Sequence, residues 1–334
     1  MSSDDLLPYM GINPDTALEA LGPALDTNGI SAIATACRKG RDDLAGRGLD
    51  EQGHKTLRRF STWEITKYLI PVATAHFRRV LRQNPDLPQG LTETDGGAKW
   101  FTLDEVIRLR AHFASEGIKS RDYLPYRPKG LPAKHVAGAN LTGGVGKTST
   151  GSHLARSAAL DGYKVLVIEL DSQGSMTSIY GGRVADEWGT VFPVLARHYG
   201  EHLRRDNQGR LDRGENPLPL DDTVAQAMEM RVQDVVQKTH WPNIDLLGAQ
   251  LDLYWAEFQV PVWRMQARSW KLWDALSERL EADGALDAYD VVILDTPPAL
   301  GYLTINALAA ADILLVPTGA SFLEFESTGR FFDM

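Results

Sequence analysis

Gly143-Gly144-Val145-Gly146-Lys147-Thr148-Ser149 stands between a short apolar run at 136–141 and a helical pattern over 148–160. A glycine-rich turn that leaves a strand and ends in Lys-Thr is suited to holding phosphate. Glycine lets the backbone approach an anion closely and turn its N–H groups inward. The helix N-terminus adds partial positive charge. Lys147 can reach the outer phosphates, and the Thr148 hydroxyl can ligate a divalent cation. Gly143, Gly144, Val145, Gly146, Lys147, Thr148 and Ser149 are therefore the expected nucleotide-binding set. The common spacing, G-x4-G-K-[ST], wants glycine at 141, where Leu141 stands. The plainer alternative, a turn capping an ordinary helix, gives Gly-Lys-Thr after a strand no purpose.

Outward from this loop, strand and helix patterns alternate. Residues 163–170 and 290–294 read as buried strands, 313–316 as another, and 303–311 as a helix before the last. Near-continuous β-branched runs separated by helices predict an α/β domain with a doubly wound, mostly parallel sheet covered on both faces. About 181–287 reads as a long insertion. Its charged, Gly/Pro-punctuated stretch 204–222 reads as a loop. Upstream, residues 122–134 hold Pro125, Pro128 and Pro132 and predict a semi-rigid linker.

Other segments join the loop in order. Ile244-Asp-Leu-Leu-Gly-Ala249 precedes a helical stretch at 251–257. Glu169-Leu-Asp171-Ser-Gln-Gly-Ser175 follows the second strand, and the strand at 290–294 runs on into Asp295-Thr-Pro-Pro298. Together these segments resemble the deviant Walker ATPases of the ParA/MinD class, over about 135–334. With the basic module described below, the nearest likeness is to the RepA partition proteins of RepABC-type plasmids. The resemblance implies ATP and Mg²⁺ as ligands, Asp171 positioning or activating the attacking water with Lys147 as the other catalytic group, and Thr148 and Asp295 serving the metal. It implies an ATP-dependent homodimer, a ParB- or RepB-type centromere-binding partner, and DNA bound both nonspecifically and at an operator. It implies a cytoplasmic, nucleoid-associated protein, away from membranes, that segregates a plasmid and represses its own operon.

Some positions depart from the family pattern. Thr142 stands where the family carries a lysine that reaches the partner's phosphates across the dimer, and threonine supplies no such charge. Glu169 replaces the first aspartate of D-x-D and keeps the carboxylate. Removing a cation from a phosphoryl-transfer site can slow it by orders of magnitude. The expectation is that ATP binding survives while hydrolysis or ATP-driven dimerisation is impaired. The alternative reading is a non-hydrolysing, nucleotide-sensing DNA-binding repressor, or a degenerate partition protein. Relative to the family the chain also stops soon after the strand at 313–317, so an incomplete sheet with one uncovered edge is expected.

Net charge is −9 over 334 residues, but it is unevenly spread. Residues 55–134 carry 15 Lys+Arg against 8 Asp+Glu, net +7, between an acidic segment 1–54 at −5 and the remainder at −11. Such asymmetry points to nucleic acid. Ser61-x-x-Glu64 has capping-box spacing and opens a helix through Leu69. Pro71 permits a second helix start, running to about Gln83. On it Ala73, Phe77, Val80 and Leu81 share one face, and Thr74, Arg78 and Arg82 form a separate stripe with Arg79 nearby. Residues 84–99 suit a hairpin or wing, and Thr102-x-x-Glu105 caps a third helix. The layout over 55–121 resembles a MerR-like winged helix-turn-helix. Arg78 and Arg82 are the expected base-edge or phosphate contacts, with Arg58, Arg59 and Lys99 on the DNA backbone.

Composition closes other routes. With 43% hydrophobic and 24% charged residues, wholesale disorder is excluded. No 18-residue apolar run is present. Cys37 is the only cysteine, which excludes a disulfide scaffold and argues against the shared iron–sulfur cluster of a nitrogenase-reductase-like relative. The histidines lack metal-ligand spacing. Trp263, Trp270 and Trp273 have helical spacing and predict a core or interface stripe.

Overall fold

The computed structural model describes residues 57–92, 97–115, 123–124 and 131–333, together with Ser31 and Thr35. Nearly all of the acidic segment 1–54, Cys37, and most of the proline-rich stretch lie outside the described residues. Leu57–Met334 form one compact unit.

In its N-terminal part, β1 (Phe60–Ser61) enters the helical turn α1 (Thr62–Glu64), which continues as a π-helical stretch, Ile65–Leu69. The anticipated capping box is present: Glu64 N donates to Ser61 Oγ at 3.3 Å, and Ser61 N donates to Glu64 Oε2 at 2.8 Å. The stretch closes with Ile70 N donating to Ile65 O at 2.7 Å. Pro71 follows and has no N–H to continue the helix. The second helix, α2 (Thr74–Gln83), starts later than Pro71 would permit, because Ala73 is still extended and serves as N-cap. Phe77, Val80 and Leu81 are buried as the periodicity requires, whereas Ala73 is exposed. β2 (Leu91–Thr92) and β3 (Lys99–Phe101) pair antiparallel, and β1 adds to the other side of β3. Glu105 and Thr102 then form a second capping box at the start of α3 (Leu103–Ser115).

The second part is a six-stranded sheet. β4 (Lys134–Gly138) leads into α4 (Lys147–Leu160), and β5 (Val165–Glu169) into α5 (Ser175–Tyr180). The long helix α6 (Phe192–Asp212) precedes β6 (Gln237–Lys238) and β7 (Ile244–Leu247). Then come α7 (Tyr254–Gln266), α8 (Ala275–Ala282), β8 (Val291–Asp295), α9 (Tyr302–Ala310), β9 (Ile313–Leu315) and α10 (Phe322–Asp333). Strand order is β6-β7-β5-β8-β4-β9, parallel throughout except for β6. The doubly wound, mostly parallel sheet read from the alternation is thus observed. Register sets Gly138 and Glu169 on either side of Asp295, so the C-terminal ends of three neighbouring strands converge. Open α/β sheets build sites at such ends.

The reading of 204–222 as a loop is wrong. Residues 204–212 are the C-terminal half of α6. Phe192, Val194, Leu195, Tyr199 and Leu203 bury the first half, and a helix once nucleated propagates at low cost through polar residues. Gly214, at φ +74°, and then Pro217 and Pro219 end it, leaving a loop only from 213 to 221.

The tryptophan stripe also needs correcting, since α7 stops at Gln266. Trp263 and Trp270 do lie in the core, Trp263 stacked on Tyr199 with centroids 5.2 Å apart. Trp270 Nε1 donates to His198 Nδ1 at 2.9 Å, but Trp273 is exposed. At the sheet edge, Ile313 and Leu314 of β9 are exposed.

Candidate functional site

The loop from β4 to α4 has the conformation its glycines require. Gly144 (φ +77°) and Gly146 (φ +88°) occupy the left-handed region that disfavours a side chain. A Cβ on Gly143 would come within 3.9 Å of Pro298, so the loop lies beside the segment leaving β8. Val145 is half-buried, and Ser149 is exposed at the start of α4.

Lys147 is buried, and its Nζ donates to the loop's own carbonyls, Asn140 O at 2.9 Å and Thr142 O at 3.0 Å. Burial lowers the pKa of this ammonium, while Asp295 and Asp171 oppose the shift. Thr148 Oγ1 donates to Asp295 Oδ2 at 2.7 Å. Asp295 is 1% exposed and its Oδ1 has no hydrogen-bond partner. Burial pushes its pKa up to about 6, opposed by the Thr148 hydrogen bond and reinforced by the charge of Asp171. Asp171 is half-buried, with its Oδ1 accepting from Gln173 N at 3.0 Å. Lys147, Thr148, Asp171 and Asp295 thus share one electrostatic environment at the sheet's C-terminal end. A buried carboxylate oxygen without a donor, beside a threonine hydroxyl, fits a hard divalent cation, which takes oxygen ligands.

Glu169 has a different place from a substitute phosphate-site acid. It is fully buried and accepts from Met176 N at 2.7 Å, Thr177 N at 2.7 Å and Thr177 Oγ1 at 2.5 Å. It holds the first turn of α5, and burial pushes its pKa up to about 7 against those hydrogen bonds.

Some residues at this site had no signal in the sequence. Asn140 Nδ2 donates to Pro317 O at 2.8 Å and to Thr328 Oγ1 at 3.1 Å, and its Oδ1 accepts from Thr142 N at 3.1 Å. Thr142 Oγ1 donates to Ser327 Oγ at 2.8 Å. The phosphate loop is therefore tied to α10 by side chains far downstream. Only the spacing Asn140-x5-Gly146 could have drawn attention to Asn140.

In the N-terminal part, Arg78, Arg79, Arg82 and Lys99 are all exposed. Arg78, Arg82 and Lys99 line one groove, whereas Arg79 Nη2 meets His76 Nδ1 at 2.9 Å. Arg58 pairs with Glu64 at 2.8 Å and lies over the Phe60 ring, and Arg59 is exposed. Thr74, placed on the outward stripe by spacing, is half-buried with its hydroxyl 3.1 Å from that of Thr66. That contact ties the two helices together.

A family model described as an AAA domain matches residues 133–333. The putative replication protein A of Sinorhizobium fredii is 30% identical over 294 residues, covering 84% of this chain and 62% of that protein. The cell division protein PomZ of Myxococcus xanthus is 34% identical over 233 residues, covering 70% of this chain and 57% of that protein. Protein SopA of Escherichia coli is 30% identical over 234 residues, covering 70% and 51%. The chain therefore spans less than two thirds of the length of these relatives. A solved structure described as a partition protein shares the fold at a TM-score of 0.59 and 20% identity, covering all of this chain and 78% of that one. An alignment over 84% of the chain necessarily runs into the basic part that the family model leaves out.

Proposed function

Since the chain belongs to the ParA/MinD class of P-loop ATPases, we propose that it is a plasmid partition ATPase of the RepA kind. It binds Mg-ATP at the loop 143–149 and DNA through its basic N-terminal part, segregating a plasmid and repressing its own operon. The observation that carries the nucleotide half is the pairing of Thr148 with a buried Asp295 whose second oxygen lacks a donor. The residues fit the site's expected ligands. Gly143, Gly144, Val145, Gly146 and Ser149 turn backbone amides toward phosphate. Lys147 leaves its loop carbonyls for phosphate oxygens. Thr148 and Asp295 would hold Mg²⁺, which when bound neutralises charge on the phosphates. Asp171 orients the attacking water at the strand end.

In the same reading residues 55–121 are a MerR-like winged helix-turn-helix with α2 as recognition helix and β2–β3 as wing. The acidic segment 1–54 precedes it, the stretch 122–134 is a linker, and 135–334 is the ATPase domain, in which the long stretch at about 181–287 is not wholly an insertion, because it supplies β6 and β7 to the central sheet. The partners are a second copy in the ATP state and a ParB- or RepB-type protein, and the location is the cytoplasm, on the nucleoid. Among the described residues no helix is long and apolar enough to cross a membrane. A second reading, a nucleotide-sensing repressor that does not hydrolyse ATP, is favoured by Thr142. Its hydroxyl is engaged with Ser327 of its own chain, and no cation stands at that position.

Steady-state ATP turnover with and without duplex DNA tests the proposal, alongside ATP binding by the folded protein. Weak turnover stimulated by DNA is expected. Tight ATP binding without turnover selects the repressor. No ATP binding by folded protein removes both.

A further inference from the structure

A groove of about 730 Å³ runs between α1, α2 and β3. Arg78, Arg82 and Lys99 stand along it, Phe77 and Leu81 line it from the core side, and Trp63 borders it. Among the described residues no carboxylate lines it. The acid on α1, Glu64, is committed to Ser61 N and to Arg58. Trp63 is 58% exposed, a large apolar surface presented to water. The ring is also held in place. It meets Tyr68 edge-on at 5.6 Å, and Lys67 Nζ lies 4.7 Å from the Trp63 centroid and 4.9 Å from that of Tyr68. A cation between two rings restrains both.

We propose that Trp63 is a DNA-contact residue whose indole packs on the deoxyribose of the strand whose phosphates lie against Arg78, Arg82 and Lys99. The inference rests on the DNA-binding reading above. A groove whose described charged lining residues, Arg78, Arg82 and Lys99, are all cations is complementary to a phosphodiester strand. Between its phosphates such a strand offers sugar carbons as its apolar surface. An indole has one donor and no acceptor, so it reads little base-edge code. Trp63 therefore sets the register of the strand on the protein, and the arginines supply the charge-dependent affinity.

The two contributions differ in salt dependence, which makes them separable. Affinity of the full chain for a labelled duplex is measured over a salt series. Trp63→Ala is expected to weaken binding about tenfold at every salt concentration, leaving the slope of log K against log salt unchanged. Trp63→Phe should keep most of the affinity. Arg82→Ala should instead lower the slope, by about 0.9 for one phosphate contact. Parent-like affinity of Trp63→Ala while Arg82→Ala still weakens binding overturns the role of Trp63 and spares the DNA reading. If neither substitution weakens binding, the DNA reading fails with it. Should Trp63→Ala not fold, Trp63→Gln repeats the test, and parent-like affinity there is equally fatal. Excess thymidine monophosphate is expected not to compete. Competition that disappears in the Trp63 variant would give the groove to a free nucleotide and overturn the proposal.

Discussion

Glu169 shows how a single buried carboxylate can make stability depend on pH. Its folded pKa, about 7, lies above its ordinary value of 4.5. The folded state therefore holds the proton more tightly than the unfolded chain does. The stability this group contributes is complete below about pH 4.5 and is lost as pH rises toward 7. Glu169→Gln cannot titrate. Urea midpoints taken on either side of that window should fall with rising pH more steeply for the parent than for Glu169→Gln. Equal slopes would mean that folding leaves the pKa of Glu169 unshifted. Thr142 sits on the phosphate loop and bonds Ser327. Thr142→Lys adds a cation where the class carries one, and ATP turnover is expected to rise about tenfold or more. Ser327→Ala breaks the same hydrogen bond without adding charge, so it separates the two effects. Unchanged turnover and dimerisation in Thr142→Lys would clear Thr142 of any part in weak hydrolysis.

Among the elements, α2 and α6 illustrate opposite balances of local and tertiary forces. α2 buries Phe77, Val80 and Leu81 and exposes Arg78 and Arg82, so its two faces follow its own periodicity. The pair Arg78→Ala and Arg82→Ala removes two exposed cations and leaves that buried face intact. Duplex affinity should fall, and the salt slope should flatten by about 1.8 if each arginine holds one phosphate. An unchanged affinity across the salt series would take α2 off the DNA. In α6 the polar second half offers no apolar stripe, and its helix depends on the buried first half. Trp263, stacked on Tyr199 of α6, anchors that half in the core. Trp263→Ala should destabilise the protein by about 3–5 kcal/mol in denaturant titration. A much smaller loss would indicate that the aromatic cluster collapses into the space.

Across the whole molecule, Arg110 joins the N-terminal part to the sheet domain. It is buried, donating from Nη1 to Asp161 O at 2.8 Å and Tyr123 O at 3.0 Å, and from Nη2 to Leu160 O at 2.8 Å. Three carbonyls at the end of α4 and beyond α3 thus share one guanidinium. Arg110→Ala should destabilise the protein by about 2–4 kcal/mol, and Arg110→Lys should recover little, because an ammonium lacks the planar fork. Full stability of Arg110→Ala would show that the apolar contacts suffice. The buried cluster containing Phe77, Phe101 and Phe113 runs on into Ala155, Val165 and Tyr180, so these contacts are extensive.

What was legible in the residues was what short-range physics sets. The phosphate loop, both capping boxes and the β-branched strands depend on backbone conformation and on partners within a few positions, and each is found close to where its pattern predicts. The stretch 204–212 and the Trp263–Trp273 spacing misled because local composition does not record what an adjoining buried turn imposes or where a helix stops. The linkage of Thr142 to Ser327 spans 185 positions, and that of Asn140 to Thr328 spans 188. Such pairs have no local signature, because they exist only once strand order and helix packing have set two distant segments side by side. The same holds for the orphaned oxygen of Asp295, the capture of α5 by Glu169 and the groove beside Trp63: each is a property of neighbours that only the packed chain supplies.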